Sequence, residues 1–212
     1  MQSQNLIKAF FLGWLGFFFG GFVQAQDTLK FPDFSATQVF QSRKGDMAMK
    51  VYRSGSNVRV ERTAAMSTLY VPASSKVYNF TTYPDQSRQC VSMSPDQAKM
   101  LPSPLQLIQG RIVKRTPAGS EIVEGRSTKI ETIAVVQPNG KTIESKIWQA
   151  DDLHGIPVKI ESYVGKVTLR AVYRDVVIGA PELALFAIPD RCTPFEKMGE
   201  VAEMRTLDST RK

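Results

Sequence analysis

The chain has 212 residues, 27 Lys and Arg against 20 Asp and Glu, a net charge of +7, and a 42% hydrophobic share. That length and composition suit a folded domain with its own core and exclude a disordered polar chain. The basic residues alternate with acids and apolar residues, and no polybasic block occurs. This excludes a stripe that tracks a nucleic-acid backbone and leaves the charge to solubility and mild attraction to anionic surfaces.

Residues 1–25 come first, with Lys8 as their charged side chain and an apolar run, AFFLGWLGFFFGGFV, over 9–23. The run is shorter than the ~20 residues needed to span a bilayer. It ends in Val23-Gln24-Ala25, small residues at the positions a signal peptidase reads. Residues 1–25 are therefore expected to be a cleavable signal peptide, the alternative being a permanent N-terminal anchor. Gln26, not a cysteine, comes next, so no lipid anchor is expected. The mature protein is expected to begin at Gln26, to reside in the periplasm and not to span the membrane. Six of the twelve Phe lie in this segment, so whole-chain composition overstates the aromatic content of the mature protein.

From residue 34 onward the pattern alternates. The runs 34–42, 46–54 and 57–64 are short and β-rich, separated by Gly45 and by Gly55-Ser56. Runs 67–71, 76–83 and 86–93 continue, with turns at Pro72 and Pro84-Asp85. Ser94-Pro95-Asp96-Gln97 then reads as an N-cap, a proline at the first helical position and a capping-box Gln, opening a helix that Pro102 limits to about two turns. A second short helix is expected over 104–108. Asn139-Gly140 signals a hairpin into a strand over 141–149. Strands over 156–164 and 166–178 come after it, split by Gly165, and Pro181-Glu182-Leu183 suggests a single helical turn. In these last strands Val158 and Ile160 oppose Lys159 and Glu161, while Val167, Leu169 and Ala171 oppose Thr168 and Arg170. One buried face and one wet face is the signature of an antiparallel sheet.

Nine or ten strands with an apolar face need that face covered, and one or two short helices cannot cover it. The expected fold is mainly β: a curled antiparallel sheet forming an incomplete β-barrel, with short helices as a lid. Residues 26–198 are expected to form one domain, and 199–212 a polar, flexible tail. Cys90 and Cys192 in an oxidising compartment suggest a disulfide, the alternative being two unrelated buried thiols.

Catalytic signatures are sparse. His154 is the sole histidine and falls in a turn, Asp151-Asp152-Leu153-His154-Gly155. Neither a G-x-S-x-G elbow, a C-x-x-C pair, a phosphate loop nor a dinucleotide fingerprint occurs. Adjacent carboxylates in a turn are ordinary surface chemistry, so no catalytic residue, metal site or cofactor is expected, and the protein is not expected to be an enzyme. Trp148 falls on the face opposite Ile143 and Ile147, either as an amphipathic cover or as a contact surface for a partner.

Two segments carry a resemblance. One is W-x-x-x-D-x-x-G-I-P-x-K over 148–159; the other is the closing L-F-x-I-P over 185–189. With FSATQVF, MKVYRSGSNVRVE and APELALFAIP in the same order, the chain over 31–190 resembles a bacterial exported family related to the outer-membrane lipoprotein carriers, the LolA/LolB-like superfamily. The resemblance implies an incomplete barrel with a helical lid around an apolar cavity, which in the carriers holds lipoprotein acyl chains. The carriers' Pro-x-x-Phe-x-Trp segment is missing; residues 57–61 stand in its place, with Arg59 a candidate for the arginine that ties lid to barrel in that family.

The function expected from these observations is non-covalent carriage of an apolar ligand, lipid or acyl chains. Val58, Val60, Ile143, Ile147, Val158, Ile160, Val167 and Leu169 are the candidate lining residues. The alternative is an envelope protein-interaction or sensory module whose core is filled by side chains, with a protein partner. No nucleic-acid partner is expected.

Overall fold

The computed structural model describes residues 31–41, 45–100, 111–137, 140–165 and 167–198. The expected signal peptide, the helix over 104–108 and the tail over 199–212 lie outside the described residues. Twelve strands succeed one another: β1 (Phe34–Gln41), β2 (Met47–Ser54), β3 (Asn57–Thr63), β4 (Met66–Val71), β5 (Lys76–Thr82) and β6 (Arg88–Met93), then β7 (Arg111–Val123), β8 (Arg126–Val136), β9 (Thr142–Gln149), β10 (Pro157–Val164), β11 (Val167–Ile178) and the two-residue β12 (Thr193–Pro194). Among the described residues the helical pieces are short 3-10 turns, as at Gln97–Met100 and Leu183–Phe186.

All twelve strands form one sheet in the order β12-β6-β5-β4-β3-β2-β1-β11-β10-β9-β8-β7. The sheet is mainly β and curled, as expected, and it stays open: β12 and β7 are its ends. The curl brings distant strands together. Arg174 on β11 donates from Nε and Nη2 to Glu124 Oε1 at 3.1 and 3.0 Å, placing the β7–β8 turn against a strand with β9 and β10 in between.

Local chemistry accounts for the turns. Gly55 and Gly165 take φ of +56° and +61° in the β2–β3 and β10–β11 connections, where a side chain would be strained. The capping box forms as the sequence predicts: Gln97 N–H donates to Ser94 Oγ at 3.3 Å, and Ser94 N–H to Gln97 Oε1 at 2.8 Å. Within the described residues it opens a 3-10 turn, Gln97–Met100. The long hairpin β7–β8 is not anticipated by the sequence pattern. Its turn residues, Glu124 and Gly125, both have positive φ, 49° and 73°.

One face of the sheet gathers the main apolar cluster, including Phe34 and Val51, Val60, Ile133, Ile147, Ile160 and Tyr173. Cross-strand pairs build it rung by rung, Val51 beside Val60 and Ile147 beside Ile160. On the opposite face of β3–β6, Leu69, Tyr78 and Cys90 form a second cluster against Phe80, Phe186 and Cys192. The chain over 183–197 crosses this outer face as a strap. The Cys90–Cys192 disulfide fastens it, and β12 runs parallel to β6 just beyond.

Candidate functional site

The eight residues predicted to line an interior separate into two groups. Val58, Val60, Ile147, Val158 and Ile160 belong to the one apolar cluster and are at most 6% exposed. Ile143 is half-buried at the margin. Val167 and Leu169 depart from the expectation: they are 58% and 37% exposed. Their alternation is right, since Ala171 and Tyr173 further along β11 are buried. The first half of β11, however, pairs with the end of β10 next to the Gly165 turn, outside the packed cluster.

Two hydrogen-bonded polar pairs punctuate the apolar face. Ser145 and Ser162 share a hydrogen bond of 2.6 Å between hydroxyls that no solvent reaches. Gln38 Nε2 donates to Tyr173 Oη at 2.9 Å. Complete burial raises the Tyr173 phenol far above its ordinary range, so it stays protonated. Nearer the rim, burial pushes the Tyr70 phenol up to about 12.

The first resemblance segment, 148–159, is a corner between β9 and β10. Trp148 is 2% exposed although it lies on the outer face. Its Nε1 donates to Glu121 Oε2 at 2.8 Å, and the Nζ atoms of Lys159 and Lys146 lie 4.1 and 4.9 Å from the ring centre. The aliphatic stems of such lysines cover an aromatic ring while their charges stay wet. Leu153 and Ile156 plug the corner from the core side, and Gln149 Nε2 donates to Gly155 O at 2.8 Å. His154 is an exposed turn residue with φ of 49°, and Asp151 and Asp152 pair with Lys129 and Arg126. Among the described residues no cluster of metal-ligating side chains occurs.

The second segment, 185–189, lies in the strap. Arg59 is the link: its Nη1 donates to Leu185 O at 3.0 Å, its Nε to Glu61 Oε1 at 3.1 Å, and its guanidinium lies 5.6 Å from the Phe80 ring centre. Through its bond to Leu185, Arg59 ties the strap to β3. Between strap, β3–β4 turn and the strands below lies a cleft of about 580 Å³. No sequence pattern marks it, because strap and sheet meet only in three dimensions.

No family model matches the chain, and no curated protein matches it. Among solved structures it is similar to MucB, with 17% identity and a TM-score of 0.47 over 79% of this chain and 61% of that chain. It is also similar to LprF from Mycobacterium bovis, with 13% identity and a TM-score of 0.41 over 71% of this chain and 89% of that one. A third is an outer membrane lipoprotein-sorting protein domain from Vibrio parahaemolyticus, at 10% identity and a TM-score of 0.29 over 74% and 91%. The chain spans less than two thirds of the length of the MucB chains it matches, 56% in the complex with MucA(peri). These likenesses concern fold, at identities too low to transfer a residue's role.

Proposed function

We propose that the protein is a binding module of the bacterial envelope that takes an apolar ligand, lipid or acyl chains, on the apolar face of its curled sheet. One observation carries this reading: Val58, Val60, Ile147, Val158 and Ile160, from three separate strands, converge on a single apolar cluster inside a sheet that never closes. An open seam lets such a sheet widen without breaking a ladder of hydrogen bonds. Burial supplies the affinity, at ~0.8 kcal/mol for each CH₂ removed from water.

A second reading has its own support. Val60, Ile147 and Ile160 have no exposed surface and already fill the space between their strands. A filled core favours an interaction module that binds a protein partner on its outside.

A fluorescent fatty-acyl probe separates the two. Uptake by the wild type that is lost in folded Ile160→Glu and kept in Thr168→Glu supports the apolar site, because an unpartnered carboxylate there must be desolvated. Thr168 is the better outward control: it is exposed, whereas Lys159 stacks on Trp148 and pairs with Glu161. Failure of the wild type to take up the probe favours the filled-core reading. Circular dichroism establishes that each variant is folded.

A further inference from the structure

The cleft beneath the strap lies on the face opposite the Ile160 cluster, and nothing in the apolar-site reading uses it. Its floor is a rung of outer-face residues from β4, β5 and β6, with Ser67 beside Phe80 and Phe80 beside Cys90. The β3–β4 turn and Met66 at the start of β4 close one side, and the strap closes another with Ile188 and Arg191. A volume of about 580 Å³ falls in the range of small-molecule pockets.

Charge and hydrogen bonding are unbalanced in this cleft. Arg59 and Glu61 neutralise one another at 3.1 Å. Arg88 and Arg191, which also line it, pair with no carboxylate among the described residues. Ser67 is 6% exposed and lines the cleft, where its hydroxyl is open to a ligand. A hydroxyl on the wall of a cleft can donate to, or accept from, a polar group bound there. Two guanidinium groups lining the same cleft select an anion, and they suit the paired oxygens of a carboxylate or phosphate. Beside them Phe80, Met66 and Ile188 offer an apolar bed, with Met66 36% and Ile188 42% exposed.

We propose that this cleft binds a single-chain anionic amphiphile, its carboxylate or phosphate held by Arg88, Arg191 and the Ser67 hydroxyl, and its chain laid along Phe80, Met66 and Ile188. The site stands whether or not the opposite face takes a ligand, because its signature is dependence on the anionic head.

The test compares three labelled probes on the intact protein: a fatty acid, its methyl ester and a lysophosphatidate of the same chain. Inorganic phosphate serves as a competitor. The fatty acid should bind at least about tenfold more tightly than its ester, the equivalent of one charge-assisted hydrogen bond. In Arg88→Gln/Arg191→Gln, with its melting curve unchanged, that preference should vanish while binding of the ester persists. Ser67→Ala should reduce the preference in part. The stronger of the fatty acid and the lysophosphatidate identifies the head group as carboxylate or phosphate ester. Equal wild-type affinity for acid and ester would overturn the proposal. So would a preference that survives in the double variant, or inorganic phosphate binding as tightly as the chain-bearing probes.

Discussion

Lys159 and Trp148, the two ends of one sequence segment, are direct cross-strand partners on β10 and β9, with the ammonium 4.1 Å from the centre of the indole ring. The segment between them is the corner that makes them meet. From Trp148 a chain of contacts runs across the outer face: Glu121 accepts from the indole, and Glu161 pairs with Lys159 and with Arg170 at 3.2 Å each. This surface is therefore a brace between β7, β9, β10 and β11. Trp148→Phe keeps an aromatic ring, smaller than the indole, but leaves Glu121 without its donor, and should lower stability by about 1–2 kcal/mol or more in urea unfolding. Lys159→Gln should lower it by about 0.5–1 kcal/mol, the worth of a cation–π contact at a partly exposed site.

The two groups of predicted lining residues should respond differently to truncation. Ile160→Ala opens a cavity in the packed cluster and should destabilise by about 2–5 kcal/mol. Leu169→Ala removes a side chain that is 37% exposed and should shift stability by less than half as much. Thermal melts of the two variants check this, and equal losses would mean that the start of β11 is packed in solution.

The Cys90–Cys192 bridge closes a sequence separation of 102 residues. Constraining the unfolded chain over such a span is worth up to ~4.7 kcal/mol. Oxidised protein should show no alkylatable thiol after denaturation. Reduction should lower the melting temperature and loosen the strap, exposing Phe80 and Phe186 to a dye that binds apolar surface. Cys90→Ala/Cys192→Ala should reproduce both effects without reductant.

Alkaline stability should depend on Tyr70. Its pKa is raised from 10.0 to about 12 by burial, so folding favours the protonated phenol. The associated stability is fully present below pH 10 and is lost as pH rises through about 12. Tyr70→Phe should flatten part of the fall between these values in equilibrium unfolding. Tyr173, raised further by complete burial, contributes in the same direction and keeps the remainder.

Much of this fold is legible in sequence because hairpins announce themselves locally. Gly55-Ser56 and Gly165 mark turns that form, and the strand limits around them agree within a residue or two. The β7–β8 hairpin escapes notice for physical reasons. Residues 114–121 of β7 are exposed on both faces, so no alternation is required of them, and Pro117 and Gly119 look like breakers. Pro117 sits beside a bulge on this edge strand, where a missing N–H is tolerated and discourages pairing with another chain. The site is less legible than the fold. Val167 and Ile160 share the same alternating pattern, and their burial is decided by which strands lie opposite. The cleft needs Ser67, Arg88 and Arg191 from three stretches of chain, and no spacing signals their meeting.

The pairing of β1 with β11 has a kinetic meaning. Strands β1–β6 pair only with sequence neighbours, as do β7–β11, apart from that seam and the two-residue β12. The protein is two consecutive meanders sewn together along one edge each. Either meander can assemble from contacts close in the chain, whereas the seam must join residues 34–41 to 170–178 across everything between. Closing that loop is the entropically dear step, so it is expected to set the folding rate. A backbone nick between β6 and β7 would spare every described strand, leaving two fragments held by the seam and by the bridge from Cys90 to Cys192.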